Sequence, residues 1–239
     1  GTDEARLQQI AEEHMARGAG HWSLKKAELK SDDVAVLQYT GGTTGLSKGA
    51  TLLHSTLISA LLASEAWLKP GMEREPTTGQ MTSICALPLY HVFAFVSCSL
   101  LATKAGGLCV LIPNPRDIPG FVKELAKWDF AVFPGLNTLF NGLLNNEDFR
   151  KLNFSHLMLT LGGGMAVQQP VAEAWKKLTG CVIAEGYGLT ETSAVATLTS
   201  PDIPNPGSAG SPLPGTEVKI YKTDETGTGE ICLRGPNIM

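Results

Sequence analysis

The chain has no block of clustered arginine or lysine, and its formal net charge is −4 over 239 residues. That argues against a protein built around nucleic-acid phosphates. No Cys-x-x-Cys pair occurs among its five cysteines, Cys85, Cys98, Cys109, Cys181 and Cys232. An odd number of thiols, most of them among apolar neighbours, predicts reduced core cysteines and a cytoplasmic setting. No two Cys or His residues have the spacing of zinc ligands. Residues 81–103 carry no formal charge, but Pro88 and His91 cut them into two pieces, each well below the ~20 residues that a membrane span requires. They predict a buried strand followed by a buried helix. Charged residues run throughout Gly1–Lys30, which does not fit a signal peptide. A Gly-x-Ser-x-Gly elbow and a Cys–His pairing are both lacking, so a covalent hydrolase mechanism has no support. No internal repeat at a period of about 20–50 residues is visible.

What the chain does have is an apolar content of 43%, enough to bury a substantial core. From 81 to 185, short apolar runs ("MTSICAL", "GLCVLI", "FAVF", "LMLTLGG", "CVIAEGY") alternate with segments of helical character ("VFAFVSCSLLAT", "PGFVKELAKW", "NTLFNGLLN", "VAEAWKKL"). Strands apolar on both sides and divided by helices predict an α/β fold of mostly parallel sheet, layered between helices. Residues 1–31 read as a polar, helix-prone lead. "SPDIPNPGSAGSPLPG" marks a boundary near 200. "TEVKIYK" and "GEICLRG" then alternate as a small antiparallel sheet would.

Three segments carry chemistry. In "YTGGTTGLSKG" (39–49), Gly41, Gly42 and Gly45 let backbone N–H groups converge on an anion. Thr40, Thr43, Thr44 and Ser47 add hydroxyls, and Lys48 adds a charge that can reach phosphates. The order differs from a Walker loop, because Ser47 precedes Lys48 and Gly49 follows it. The apolar run "VAVLQY" before it and the helical pattern "HSTLISALLASEAWL" after it, ended by Pro70-Gly71, predict strand, glycine loop, helix. "EGYGLTET" (185–192) presents a ring at Tyr187, a hydroxyl at Thr190 and a carboxylate at Glu191. These suit a purine, a phosphate and Mg²⁺ respectively, although an ordinary strand end has the same composition. "LGGGM" (161–165) ends another strand in glycines that either admit a flat ring or make a tight turn. His91 stands alone among hydrophobes in "LPLYHVFA"; His14, His21, His54 and His156 have no supporting pattern.

Together these segments resemble the adenylate-forming enzymes: acyl-CoA synthetases, luciferases and peptide-synthetase adenylation domains. "YTGGTTGLSKG" resembles the family's phosphate loop, "LGGGM" and "EGYGLTE" its adenine and threonine–glutamate motifs. "GSPLPGTEVKI" and "GEICLRGPNIM" resemble the segments that open its small β-barrel. "ALPLYHVFA", "NPRDIPGFVKEL" and "EGYGLTE" look most like bacterial long-chain fatty acid–CoA ligases. The resemblance implies that a fatty carboxylate attacks the ATP α-phosphate, giving acyl-adenylate and pyrophosphate, and that the CoA thiol then takes the acyl group. It places Thr40, Gly41, Gly42, Thr43, Thr44, Gly45 and Lys48 on the triphosphate. Thr190 falls at the α-phosphate and Glu191 on Mg²⁺, while Gly163, Gly164, Glu185, Gly186 and Tyr187 surround the adenine. His91 falls beside the acyl carboxylate.

It further implies that 32–200 is the central part of the large N-terminal domain and 201–239 the beginning of the β-barrel subdomain. The ribose-binding aspartate, the hinge and the C-terminal lid with its lysine would lie beyond Met239, and the family's first segment would precede the chain. The chain is thus expected to be a middle piece, inactive alone. A full-length enzyme of this kind leaves room for peripheral membrane association and for a homodimer. An amino-acid-adenylating domain would need an aspartate just after the ring of the acid-binding motif. Here Val92 follows His91, and no carboxylate lies between Leu87 and Thr103. The remaining alternative is a non-catalytic nucleotide-binding or structural domain of the same fold.

Overall fold

The structure is a computed structural model that describes residues 28–40, 48–72, 80–203, 205 and 207–239. The chain divides into Gly1–Lys30 and Ser31–Met239, and every described element lies in the second unit. Most of the expected helical lead, residues 1–27, is outside the described residues.

Strands β1 (Val34–Thr40) and β2 (Lys48–Leu53) pair antiparallel, with Tyr39 opposite Gly49 and Thr40 opposite Lys48. This corrects the expected order of strand, glycine loop and helix: a second strand separates the loop from helix α1 (His54–Met72). Burial explains the strand. Only Ala50 and Leu52 of β2 are buried, packed with Val92 and Val96, a period of two that suits a strand and not a helix. Helix α1 starts where Thr56 Oγ1 accepts the Leu53 N–H at 3.1 Å and donates to the Leu53 carbonyl at 3.0 Å. It buries Leu57, Ala60, Ser64 and Leu68, one face at intervals of three to four residues. The helix continues past Pro70 to Met72, because a proline in the last turn forfeits little of the hydrogen-bond ladder.

The main sheet has seven strands in the order β4-β3-β5-β6-β7-β8-β9. Its first five, β4 (Leu108–Leu111), β3 (Thr82–Cys85), β5 (Val132–Gly135), β6 (Leu159–Gly162) and β7 (Ile183–Tyr187), are parallel. β8 (Thr197–Leu198) and β9 (Ser211–Pro212) add on antiparallel. The connections carry α2 (residues 92–104), α3 (Ile118–Leu125), α4 (Asn137–Leu144) and α5 (Gln169–Thr179). Helix α2 is α-helical at Val92–Ala94 and Leu101–Lys104 and π-helical over Phe95–Leu100. β10 (Glu217–Tyr221) and β11 (Glu230–Arg234) form a separate antiparallel pair. Ser211-Pro212 therefore stays with the main sheet, and the small sheet starts only at Glu217.

Both faces of the sheet are covered, as its apolar strands require. On one face Leu159 and Leu161 of β6 pack with Leu68 of α1 and Leu101 of α2. Thr160, between them, turns to the other face and accepts the Trp175 indole N–H of α5 at 3.1 Å. There Trp175 meets Phe140 of α4 edge-on, with ring centroids 4.8 Å apart, beside Phe121, Phe133 and Phe149. All five cysteines are free thiols, and Cys85, Cys98 and Cys181 are buried. Among the described residues no helix is long and apolar enough to cross a membrane.

Candidate active site

The C-terminal ends of β6 and β7 face helices α1 and α2 across a cavity of about 320 Å³, a size typical of small-molecule sites. A crevice beyond the carboxyl ends of parallel strands is where open α/β sheets bind ligands. The buried lining is apolar, from Leu68, Val96, Leu101, Leu161 and Leu198. Ser64 and Ser97 also line it, but their hydroxyls donate to the Ala60 and Phe93 carbonyls one turn back, at 2.7 and 2.6 Å. The polar groups belong to less buried residues, His91, Thr190 and Glu191. The cavity is thus greasy inside and polar where it opens.

Of the site residues expected from the sequence, His91, Gly163, Gly164, Gly186, Thr190 and Glu191 come together around this cavity. Gly164 has φ +72°, a left-handed turn that glycine makes without strain. The Gly163 backbone lies under the Phe93 ring, so close that a Cβ there would sit 3.2 Å from Cζ.

Thr190 and Glu191 sit on a 3₁₀ turn, Thr190–Thr192. Thr192 Oγ1 fixes it by accepting the Leu189 N–H at 2.9 Å and donating to the Leu189 carbonyl at 3.0 Å. The chain then reverses through Ser193 (φ 53°) and Ala194 (φ 102°). Gly188 makes room for that reversal, since a Cβ there would lie 1.9 Å from the Ala194 carbonyl oxygen.

His91 precedes α2 and caps it, its Nδ1 accepting the Phe93 N–H at 3.2 Å. With Nδ1 as the acceptor, Nε2 is the ring nitrogen left to donate to a ligand. Glu185 and Tyr187 do not line the cavity, whereas Gly186 and Gly188, the alternate residues, do. The Glu185 carboxylate accepts the Val167 N–H at 3.1 Å, and burial pushes its pKa up, partly offset by that bond.

Gly41, Gly42, Thr43, Thr44 and Gly45 lie outside the described residues, as does the side chain of Thr40. Lys48 opens β2 opposite Thr40. Ala50 and Leu52 of that strand pack beside Ala194 as well as Val92 and Val96, so the base of the hairpin adjoins the Thr190–Glu191 turn. Among the described residues no three His, Cys, Asp or Glu side chains cluster as a metal cage would. A lone carboxylate at the cavity fits Mg²⁺ carried by phosphates, which needs only one or two protein carboxylates.

A family model described as AMP-binding enzyme matches residues 2–239. The chain belongs to the AMP-binding enzyme family. It is 49% identical over 220 residues to a long-chain-fatty-acid–CoA ligase of Escherichia coli O157:H7, covering 90% of the chain and 38% of that protein. It is 34% identical over 215 residues to the long-chain-fatty-acid–CoA ligase of Bacillus subtilis (strain 168), covering 87% and 37%. It thus spans well under half the length of these relatives. Among solved structures it is similar to the anthranilate CoA ligase AuaEII in complex with anthranoyl-AMP, with a TM-score of 0.76, 25% identity and coverage of 90% and 42%. ATP-bound MatB from Rhodopseudomonas palustris gives a TM-score of 0.73 at 28% identity, with coverage of 89% and 42%.

Some residues at the cavity carry no signal in the sequence. Gly188 lies within "EGYGLTET", but its role depends on Ala194 across the turn. Leu68 and Leu101 read only as helix interior, because periodicity reveals a buried face and not what that face meets.

Proposed function

We propose that this chain is the nucleotide- and acyl-binding centre of an AMP-forming long-chain fatty acid–CoA ligase, a cytoplasmic enzyme of its relatives' length. The observation that carries the reading is the cavity itself: buried apolar walls lead to Thr190, Glu191 and His91. An alkyl chain suits walls whose serine hydroxyls are already bonded to their own helices. A carboxylate at the open end of that chain would lie beside the threonine–glutamate turn.

Attack by a carboxylate on a phosphate brings two anions together, so donors and cations matter more than a base. Thr190 would offer its hydroxyl to the α-phosphate. Lys48 and the loop from Thr40 through Gly41, Gly42, Thr43, Thr44 and Gly45 would grip the triphosphate. Gly163, Gly164 and Gly186 would give a flat floor against the adenine, with Tyr187 and Glu185 behind it. Bound Mg²⁺ would neutralise phosphate charge, with Glu191 as its carboxylate. His91 would orient the acyl carboxylate, since its Nδ1 is occupied and only its Nε2–H points elsewhere. CoA would then accept the acyl group.

The test is pyrophosphate release from ATP by a full-length protein carrying this chain, measured across carboxylates of increasing length. The expected result is a rate that rises from acetate to long-chain acids. Activity confined to short or aromatic acids would contradict the apolar assignment, and ATP binding with no turnover on any acid would favour a non-catalytic domain.

A further inference from the structure

The Thr190–Glu191 turn is held in shape from a distant part of the chain. Ser193 and Ala194 follow it with φ of 53° and 102°, values that side chains other than glycine adopt only when their surroundings impose them. The local bonds of Thr192 to Leu189 fix the start of the turn, but the reversal after it gains nothing from the Ser193 hydroxyl, which is buried without a hydrogen-bond partner. The Asn237 side chain supplies the restraint. Its Nδ2 donates to the Thr192 carbonyl at 3.3 Å and to the Val195 carbonyl at 3.0 Å, the residues on either side of the strained pair. Its Oδ1 accepts the Thr216 hydroxyl at 3.1 Å, which fixes which way the amide faces. Asn237 is 2% exposed, so these partners are its own alternatives to water. Next to it, the Met239 N–H donates to the Glu191 carbonyl at 3.0 Å.

We infer that Asn237 is a positioning residue for adenylation, its amide clamping the strained Ser193–Ala194 reversal so that Thr190 and Glu191 stay aimed at the cavity. The chemistry selects this side chain. One nitrogen with two N–H donors can bridge two carbonyls, and one oxygen can take the Thr216 hydroxyl. Aspartate has the same shape but, ionised, has nothing to donate and would face two carbonyl oxygens. Leucine has the same bulk and no donor. Thr216 and Asn237, which flank the small β10–β11 sheet, thereby act on the reacting groups without touching substrate. The inference rests on the proposed adenylating role of Thr190 and Glu191.

The test compares Asn237→Asp, Asn237→Leu, Thr216→Val and Thr216→Ser in the full-length protein, with Thr190→Ala as a reference. Acyl-adenylate formation is measured at temperatures where circular dichroism shows each variant folded. Asn237→Leu is expected to lower kcat at least tenfold with the fatty-acid KM changed less than threefold, because an aimed turn matters most in the transition state. Thr216→Val should lower kcat more mildly, and Thr216→Ser should restore it. Asn237→Asp should regain part of its activity as pH falls, since its carboxyl, once protonated, has one O–H to donate to one of the two carbonyls; the parent shows no such gain. If Asn237 variants fail to fold, the Thr216 pair decides: loss with valine and recovery with serine support the clamp, and equal rates overturn it. Folded Asn237→Leu with parental kcat overturns the clamp even when its melting temperature drops. If Thr190→Ala keeps its full rate, the adenylating role of the turn is wrong and the inference falls with it.

Discussion

The carboxylate of Glu185 accepts the backbone N–H of Val167 at 3.1 Å, tying the end of β7 to the loop that follows β6. The glycines beside the cavity, Gly163 and Gly164, belong to that loop. Burial raises the Glu185 pKa above its ordinary value of 4.5, and the Val167 bond offsets this only in part. A raised carboxyl pKa means that the fold favours the neutral acid. Its contribution is fully present below the ordinary pKa and is lost as pH rises through the folded value. Glu185→Gln keeps an oxygen for Val167 and cannot ionise. Thermal melts from acid to neutral pH should therefore lose part of their decline in the variant, which should melt no lower than the parent at neutral pH. Superimposable pH profiles would show that Glu185 titrates normally.

Lys48→Ala should raise the ATP KM of the full-length protein by removing one charge-assisted bond to phosphate, worth about 1–3 kcal/mol. Steady-state kinetics at saturating fatty acid would measure it. Unchanged ATP kinetics would remove Lys48 from the phosphate site.

Glu191→Gln keeps the size of the side chain and removes its charge. Adenylation should fall about 10²–10³-fold, the usual scale for losing one electrostatic contact in a transition state. The melting temperature should hold, because Glu191 is only partly buried. Near-normal rates at low Mg²⁺ would make Glu191 an ordinary solvated residue.

His91 combines a cap with a ring, and substitutions separate them. His91→Asn can still accept the Phe93 N–H but loses the ring, whereas His91→Phe keeps a ring and loses the cap, at about 1 kcal/mol. If ring shape orients the acyl carboxylate, His91→Phe should retain more activity than His91→Asn while melting lower. The reverse order would point to capping instead, and an ionisation present in the parent's pH–rate profile but lost in both variants would point to proton transfer.

The parallel core was legible because residues such as Leu159 and Thr160 face opposite sides and are both buried, so each strand reads as a continuous apolar run. Helices α2 to α5 were legible from length and period. Strand β2 was not: with only Ala50 and Leu52 buried, "KGATLL" has too short an alternation to stand out between a glycine loop and a helix. The candidate site was legible at Thr190, Glu191 and the glycines because they fall in short motifs at the ends of apolar runs, and the cavity brings them together. The link from Glu185 to Val167, 18 residues away, and that from Asn237 to Thr192, 45 residues away, were not. They depend on chain segments meeting in three dimensions, and neither residue type signals its partner.

In the proposed reaction a fatty carboxylate held in the apolar cavity attacks the α-phosphate of ATP. The most direct measurement follows isotope from the acid. A full-length protein carrying this chain would be given palmitate labelled with oxygen-18 in both carboxylate positions, with ATP, Mg²⁺ and CoA, and the nucleotide product analysed by mass spectrometry. An acyl-adenylate leaves one carboxylate oxygen on phosphorus when the thiol takes the acyl group, so AMP should carry a single oxygen-18 and pyrophosphate none. Label in inorganic phosphate, or unlabelled AMP accompanying acyl-CoA, would contradict the account.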